Sequence, residues 1–174
     1  NVCSPAEASI REVKAGVVEY VADVPASKLV LGLPWYGQRY VQIGLPINYG
    51  QIDYKDVLEA IDAGRMTKKV HDDASNSWKI TCSTDCLPGK KGTTVWYDDA
   101  TTLAPKFRIA GEHGLRGVGM WKVDDLPVPG KDGSDPHASE RQAMWAAIKG
   151  WRDTPTPRET HAITAPISAT LLQS

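Results

Sequence analysis

The sequence has no apolar run approaching the roughly 20 residues that a membrane-spanning helix needs, so no membrane partner is expected. It also lacks an excess of charge of either sign: 20 basic residues against 21 acidic ones leave a formal charge of -1. A nucleic-acid binder normally carries a basic patch or a surplus of Lys and Arg, so nucleic acid is not an expected partner either. No charged segment followed by an apolar leader starts at Asn1, and no methionine stands there; the chain is expected to be a processed product or a fragment. Cysteine is scarce and odd in number, at Cys3, Cys82 and Cys86. The last two share a Gly/Pro/Ser/Thr-rich stretch whose spacing allows a local Cys82–Cys86 bridge, leaving Cys3 to pair outside the chain. His71, His113, His137 and His161 show no spacing that supplies the four ligands of a zinc site. No metal and no cofactor are therefore expected.

What is present is organised around Gly114–Asp125, GLRGVGMWKVDD. Val118, Met120 and Trp121 form an apolar run too short for a buried helix, which reads as a fully buried strand. Gly117 and Gly119 leave room for close packing on its backbone. Lys28–Tyr36, KLVLGLPWY, is a second run of the same kind, expected to be covered on both faces. Pro34 should stop its pairing. Both runs end on aromatics, Trp35 and Tyr36 in one and Trp121 in the other, and polar residues follow at once. The carboxyl ends of parallel strands are where α/β enzymes place ligand-contacting groups. The alternative for each ring is an ordinary place in the core.

Helical periods surround these strands. Ser4-Pro5-Ala6-Glu7 reads as a capping box, followed by Ile10, Val13, Val17, Tyr20, Val21 and Val24 on one face until Pro25. Leu103, Phe107 and Ala110 mark a second helix closed by Gly114, capped by Asp98 or Asp99. Tyr97 or Asp98 could instead face a cleft. Met144, Ile148 and Trp151 mark a third. Residues 38–94 are too long for a simple α/β connection and are read as an α+β insertion. It is expected to hold a helix over Asp53–Gly64 with Asp53 as N-cap, and strands over Trp78–Cys82 and Thr93–Tyr97. The expected division is thus 1–37 and 95–152 as one unit, 38–94 as the insertion, and 153–174 as a disordered tail without periodicity.

The ordered set LVLGLPWYGQRY, VWYDD and GLRGVGMWKVDDL resembles the C-terminal part of family 18 glycoside hydrolases, in particular their chitobiase-like branch. The resemblance implies an α/β fold, the last part of a (β/α)8 TIM barrel. In it, 29–34 is like strand seven, 117–121 like strand eight, and the three helices like helices six to eight. It implies a hydrolase of N-acetylglucosamine β-1,4 linkages, with chitobiose or longer oligosaccharides as substrate and the rest of the barrel upstream. Such enzymes are substrate-assisted: the substrate's acetamido carbonyl attacks the anomeric carbon while a protein glutamate protonates the leaving oxygen. That glutamate belongs to a DxxDxDxE motif absent from these 174 residues, so no catalytic residue is assigned and the chain alone is expected to be inactive. Trp121 would be like the tryptophan under the cleavage subsite, and Tyr36 like a tyrosine at the cleft rim, with Trp35, Tyr97 and Asp98 as further substrate contacts. Where many members have arginine after the tyrosine and glycine, this chain has Gln38, with Arg39 next; neither is given a role. A lysosomal or extracellular site is implied. The alternative is an inactive, lectin-like relative of the same fold.

Overall fold

The computed structural model describes residues 6–43, 45–66, 68–81 and 93–153, without the side chains of 42–49. Cys3, Cys82, Cys86 and the segment from residue 154 lie outside the described residues, as does the capping serine expected at residue 4. Helix α1 covers Ile10–Asp23 and is capped by Ser9 rather than Ser4. The Ser9 hydroxyl accepts from the Glu12 N–H, and Glu12 reaches back to the Ser9 N–H, so the capping box lies five residues further on. Pro25 then bars continuation. Val17 is buried, and Ile10, Val13 and Val21 pack around Ile109, Ala110 and Leu115. Tyr20, placed by period on the same face, is exposed instead.

Strand β1, Val30–Pro34, later pairs in parallel with the last strand, Gly117–Trp121. Val30 faces Gly117, Gly32 faces Gly119 and Pro34 faces Trp121 in register. Successive side chains of a strand point to opposite faces. Leu31, Leu33, Val118 and Met120 accordingly join the core, while Val30 and Trp121 are exposed. An added Cβ at Gly32, Gly117 or Gly119 would meet no atom within 4 Å. The two runs are therefore covered on one face and open on the other, not buried on both as their apolar continuity suggests.

Between them lies an antiparallel sheet built from β2 (Tyr36–Ile43), β3 (Leu45–Asp53), β4 (Lys68–Asp72), β5 (Ser77–Thr81) and β6 (Thr93–Tyr97), in the order β3-β2-β6-β5-β4. It begins before and ends after the 38–94 bounds expected for the insertion. Pro34 does end β1, but the chain turns through Trp35 straight into β2. Helix α2, Tyr54–Asp62, follows β3. Asp53 stands at its N-cap position but makes no capping hydrogen bond, since its carboxylate pairs with Lys55 at 2.8 Å.

Helix α3, Ala100–Glu112, is capped by Asp99, and Leu103, Phe107 and Ala110 are fully buried. Gly114 adopts φ +64°, the left-handed conformation that closes the helix. The last strand, β7, leads into a short 3-10 turn and then α4, Ala138–Lys149, whose Met144 is fully buried. One cluster including Leu33, Trp35, Tyr54, Ile80, Tyr97, Phe107 and Met144 joins the parallel pair, the antiparallel sheet and the helices.

Candidate functional site

The parallel pairing brings the carboxyl ends of β1 and β7 side by side, and with them the aromatics singled out in the sequence. The Trp35 N–H donates to the Trp121 carbonyl oxygen at 2.7 Å, extending the ladder one step past Pro34. Trp121 stands on the open face with 65% of its surface exposed. A flat apolar ring so placed can take the apolar face of a ligand, and its indole N–H stays available as a donor.

Tyr36, half-buried at the start of β2, donates its phenolic proton to Glu7 Oε1 at 2.9 Å. Burial first, and then this bond to Glu7, pushes its pKa up to about 12. Gln51 on β3 acts against this shift and lowers the pKa, while the nearby Asp125 charge raises it. Asp125 is itself buried, held by the Lys122 N–H at 3.1 Å and by Lys122 Nζ at 3.3 Å. Lys122 Nζ also bonds Asp124 at 2.8 Å. Tyr36, Trp121 and these polar groups thus share one end of the parallel pair.

The other candidates turn inward. Trp35 is 1% exposed and meets the Trp145 ring edge-on, with centroids 5.2 Å apart. Tyr97 is buried against Tyr54, centroids 6.2 Å apart, and burial raises the pKa of both phenols. Asp98 is buried and accepts from Lys106 Nζ at 2.8 and 2.7 Å through its two oxygens. Lys106 is completely buried and also donates to Ser77 Oγ at 2.9 Å. Burial pushes Asp98 up and Lys106 down, and the attraction between them opposes both shifts. Trp35, Tyr97 and Asp98, which the resemblance implies as substrate contacts, are here buried packing and pairing groups. Asp99, not Asp98, caps α3, accepting from the Thr101 and Thr102 N–H groups at 2.9 and 3.2 Å.

Glu7, Gln51, Lys106, Lys122 and Asp125 escaped the sequence reading. Glu7 was absorbed by an apparent capping box, and Lys106 lies on a helix face where a buried cation has no sequence signature. The Asp124-Asp125 pair, which begins three residues after Trp121, is the one legible signal. No cluster of His, Cys, Asp or Glu able to hold a metal occurs among the described residues. None of their helices is long and apolar enough to cross a membrane.

A family profile for glycosyl hydrolases family 18 matches residues 6–125. The chain belongs to that family. This family 18 chain is 26% identical over 168 residues to di-N-acetylchitobiase of Mus musculus, covering 83% of itself and 43% of that protein. Its fold is similar to that of a chitinase from Chromobacterium violaceum, with a TM-score of 0.64 and 21% identity over 87% of this chain and 41% of the other. It is also similar to a family 18 chitinase from Cycas revoluta solved in complex with (GlcNAc)3, with a TM-score of 0.60 and 23% identity over 84% and 42% of the two chains. The family 18 chain thus spans less than half the length of these relatives.

Proposed function

We propose that this chain forms the C-terminal part of a family 18 (β/α)8 barrel and lines part of the cleft in which N-acetylglucosamine β-1,4 linkages are hydrolysed. In this reading β1 and β7 are barrel strands seven and eight, and α1, α3 and α4 are helices six, seven and eight. The antiparallel sheet with α2 is the insertion that walls the cleft. The open face of the parallel pair, small at Gly32, Gly117 and Gly119, looks into the barrel. The observation that carries the reading is the exposed Trp121 ring on that face at the strand's carboxyl end. Its area suits the apolar side of a pyranose, and Tyr36 stands at the rim to accept from sugar hydroxyl or acetamido groups.

Catalysis is retaining and substrate-assisted, with the acid supplied by the part of the barrel carrying DxxDxDxE. Trp35, Tyr97 and Asp98 support the cleft from below. The whole enzyme acts in a lysosomal or extracellular setting, as the family resemblance implies. The test has two arms. The 174-residue chain should bind N-acetylchitotriose, weaken in that binding on Trp121→Ala, and show no turnover of a chromogenic N-acetylchitobioside. Unchanged affinity in the variant, or turnover by the chain alone, would overturn the reading. Binding without turnover by a protein carrying the whole barrel would move it to a lectin-like relative.

A further inference from the structure

Tyr36 has one proton and gives it to Glu7. A phenol carries one O–H and two lone pairs, so the Tyr36 oxygen can otherwise only accept. Glu7 is an exposed carboxylate, and among the described residues no Lys, Arg or His pairs with it. Nearby, Asp53, Asp124 and Asp125 share two ammonium groups, those of Lys55, which also bonds the Asp124 carbonyl oxygen at 3.0 Å, and Lys122. The rim beside Trp121 therefore offers acceptors and a surplus of negative charge.

We propose that this rim prefers an oligosaccharide unit bearing a free, protonated amine over its N-acetylated counterpart, with Glu7 as the specificity-determining residue. The inference rests on the reading of Trp121 as a sugar platform. An acetamide presents one N–H donor and one carbonyl acceptor, and the carbonyl finds no donor on the Glu7–Tyr36 pair. An ammonium presents three donors and a positive charge to the same pair. A mixed oligomer satisfies both demands: the acetylated unit lies on Trp121 and its de-N-acetylated neighbour meets Glu7.

The test is calorimetric titration of the complete chain with a glucosamine trimer and an N-acetylglucosamine trimer. It is run at about pH 5, where an amine is protonated. The unaltered chain should bind the glucosamine trimer about five-fold more tightly at low salt, the upper range for an exposed ion pair, and lose that margin in high salt. Glu7→Gln keeps an oxygen for the Tyr36 proton and should equalise the two trimers. Trp121→Ala should weaken both. Equal affinities in the unaltered chain, or a preference that survives Glu7→Gln, would overturn the proposal while leaving the platform intact. Failure of both trimers to bind would overturn the platform and the proposal together.

Discussion

The Trp35 N–H and the Trp121 carbonyl are joined at 2.7 Å, yet the two indoles lie on opposite sides of the sheet. Trp35 is 1% exposed and Trp121 65%. Alternation along the strands is the cause: Trp121 is in register with Pro34, and Trp35 is one step on.

The division of labour between the two rings gives the first prediction. Trp35→Ala should cost about 3–5 kcal/mol, as for a buried large-to-small change, measured by urea denaturation. Trp121→Ala should stay within about 0.5 kcal/mol, as for an exposed position, while losing affinity for sugar. Equal costs would contradict the assignment.

Lys106→Ala leaves Asp98 buried without its cation and should destabilise by about 3–5 kcal/mol. The double change Lys106→Met with Asp98→Leu removes both charges and keeps bulk, so it should be more stable than Lys106→Ala. A double-mutant cycle built on Met and Leu should show coupling above about 0.5 kcal/mol. Strict additivity would show that the Lys106–Asp98–Ser77 contacts do not act as a unit.

Asp99 supplies both a cap and an acid dependence. Burial acts to raise its pKa, but hydrogen bonds from Thr101 and Thr102 and the Lys69 charge outweigh it and hold it below the usual carboxylate range. A depressed folded pKa contributes stability above the unfolded value of about 3.9, and that stability is lost as pH falls through the folded value. Asp99→Asn keeps an accepting oxygen at the cap and should flatten the acid limb of a stability–pH curve. Asp99→Ala should cost about 1 kcal/mol at neutral pH.

Gly37 and Gly32 form a matched pair. A Cβ at Gly37 would lie 2.9 Å from the Trp96 carbonyl oxygen and 3.1 Å from both Ile52 Cγ2 and Tyr97 Cβ. Gly37→Ala should therefore cost about 1–3 kcal/mol through overpacking. Gly32→Ala meets nothing within 4 Å and should be close to neutral in a thermal melt.

The parallel strands, the two later helices and the aromatic-tipped strand ends were legible because short apolar runs and 3.6-residue periods are local signals. Which face each ring takes was not, since a one-residue step sends Trp35 inward and Trp121 outward. The hairpin of β2 and β3 was missed because Gly44, Pro46 and Gly50 interrupt its alternation, and Pro34 suggested that the strand region had ended. Ser9 and Ser4 both precede a glutamate three residues on, so composition did not choose between the two caps. Asp98 reads as a helix cap or a cleft-facing acid because its partner Lys106 lies eight residues away, across a strand-to-helix junction.

The most direct test is an NMR titration of the chain with N-acetylchitotriose, following the indole N–H resonances of its tryptophans. A cleft built on the open face of β7 predicts that the Trp121 signal shifts saturably while those of Trp35 and Trp78 stay in place. Saturable binding that leaves Trp121 unmoved would contradict it.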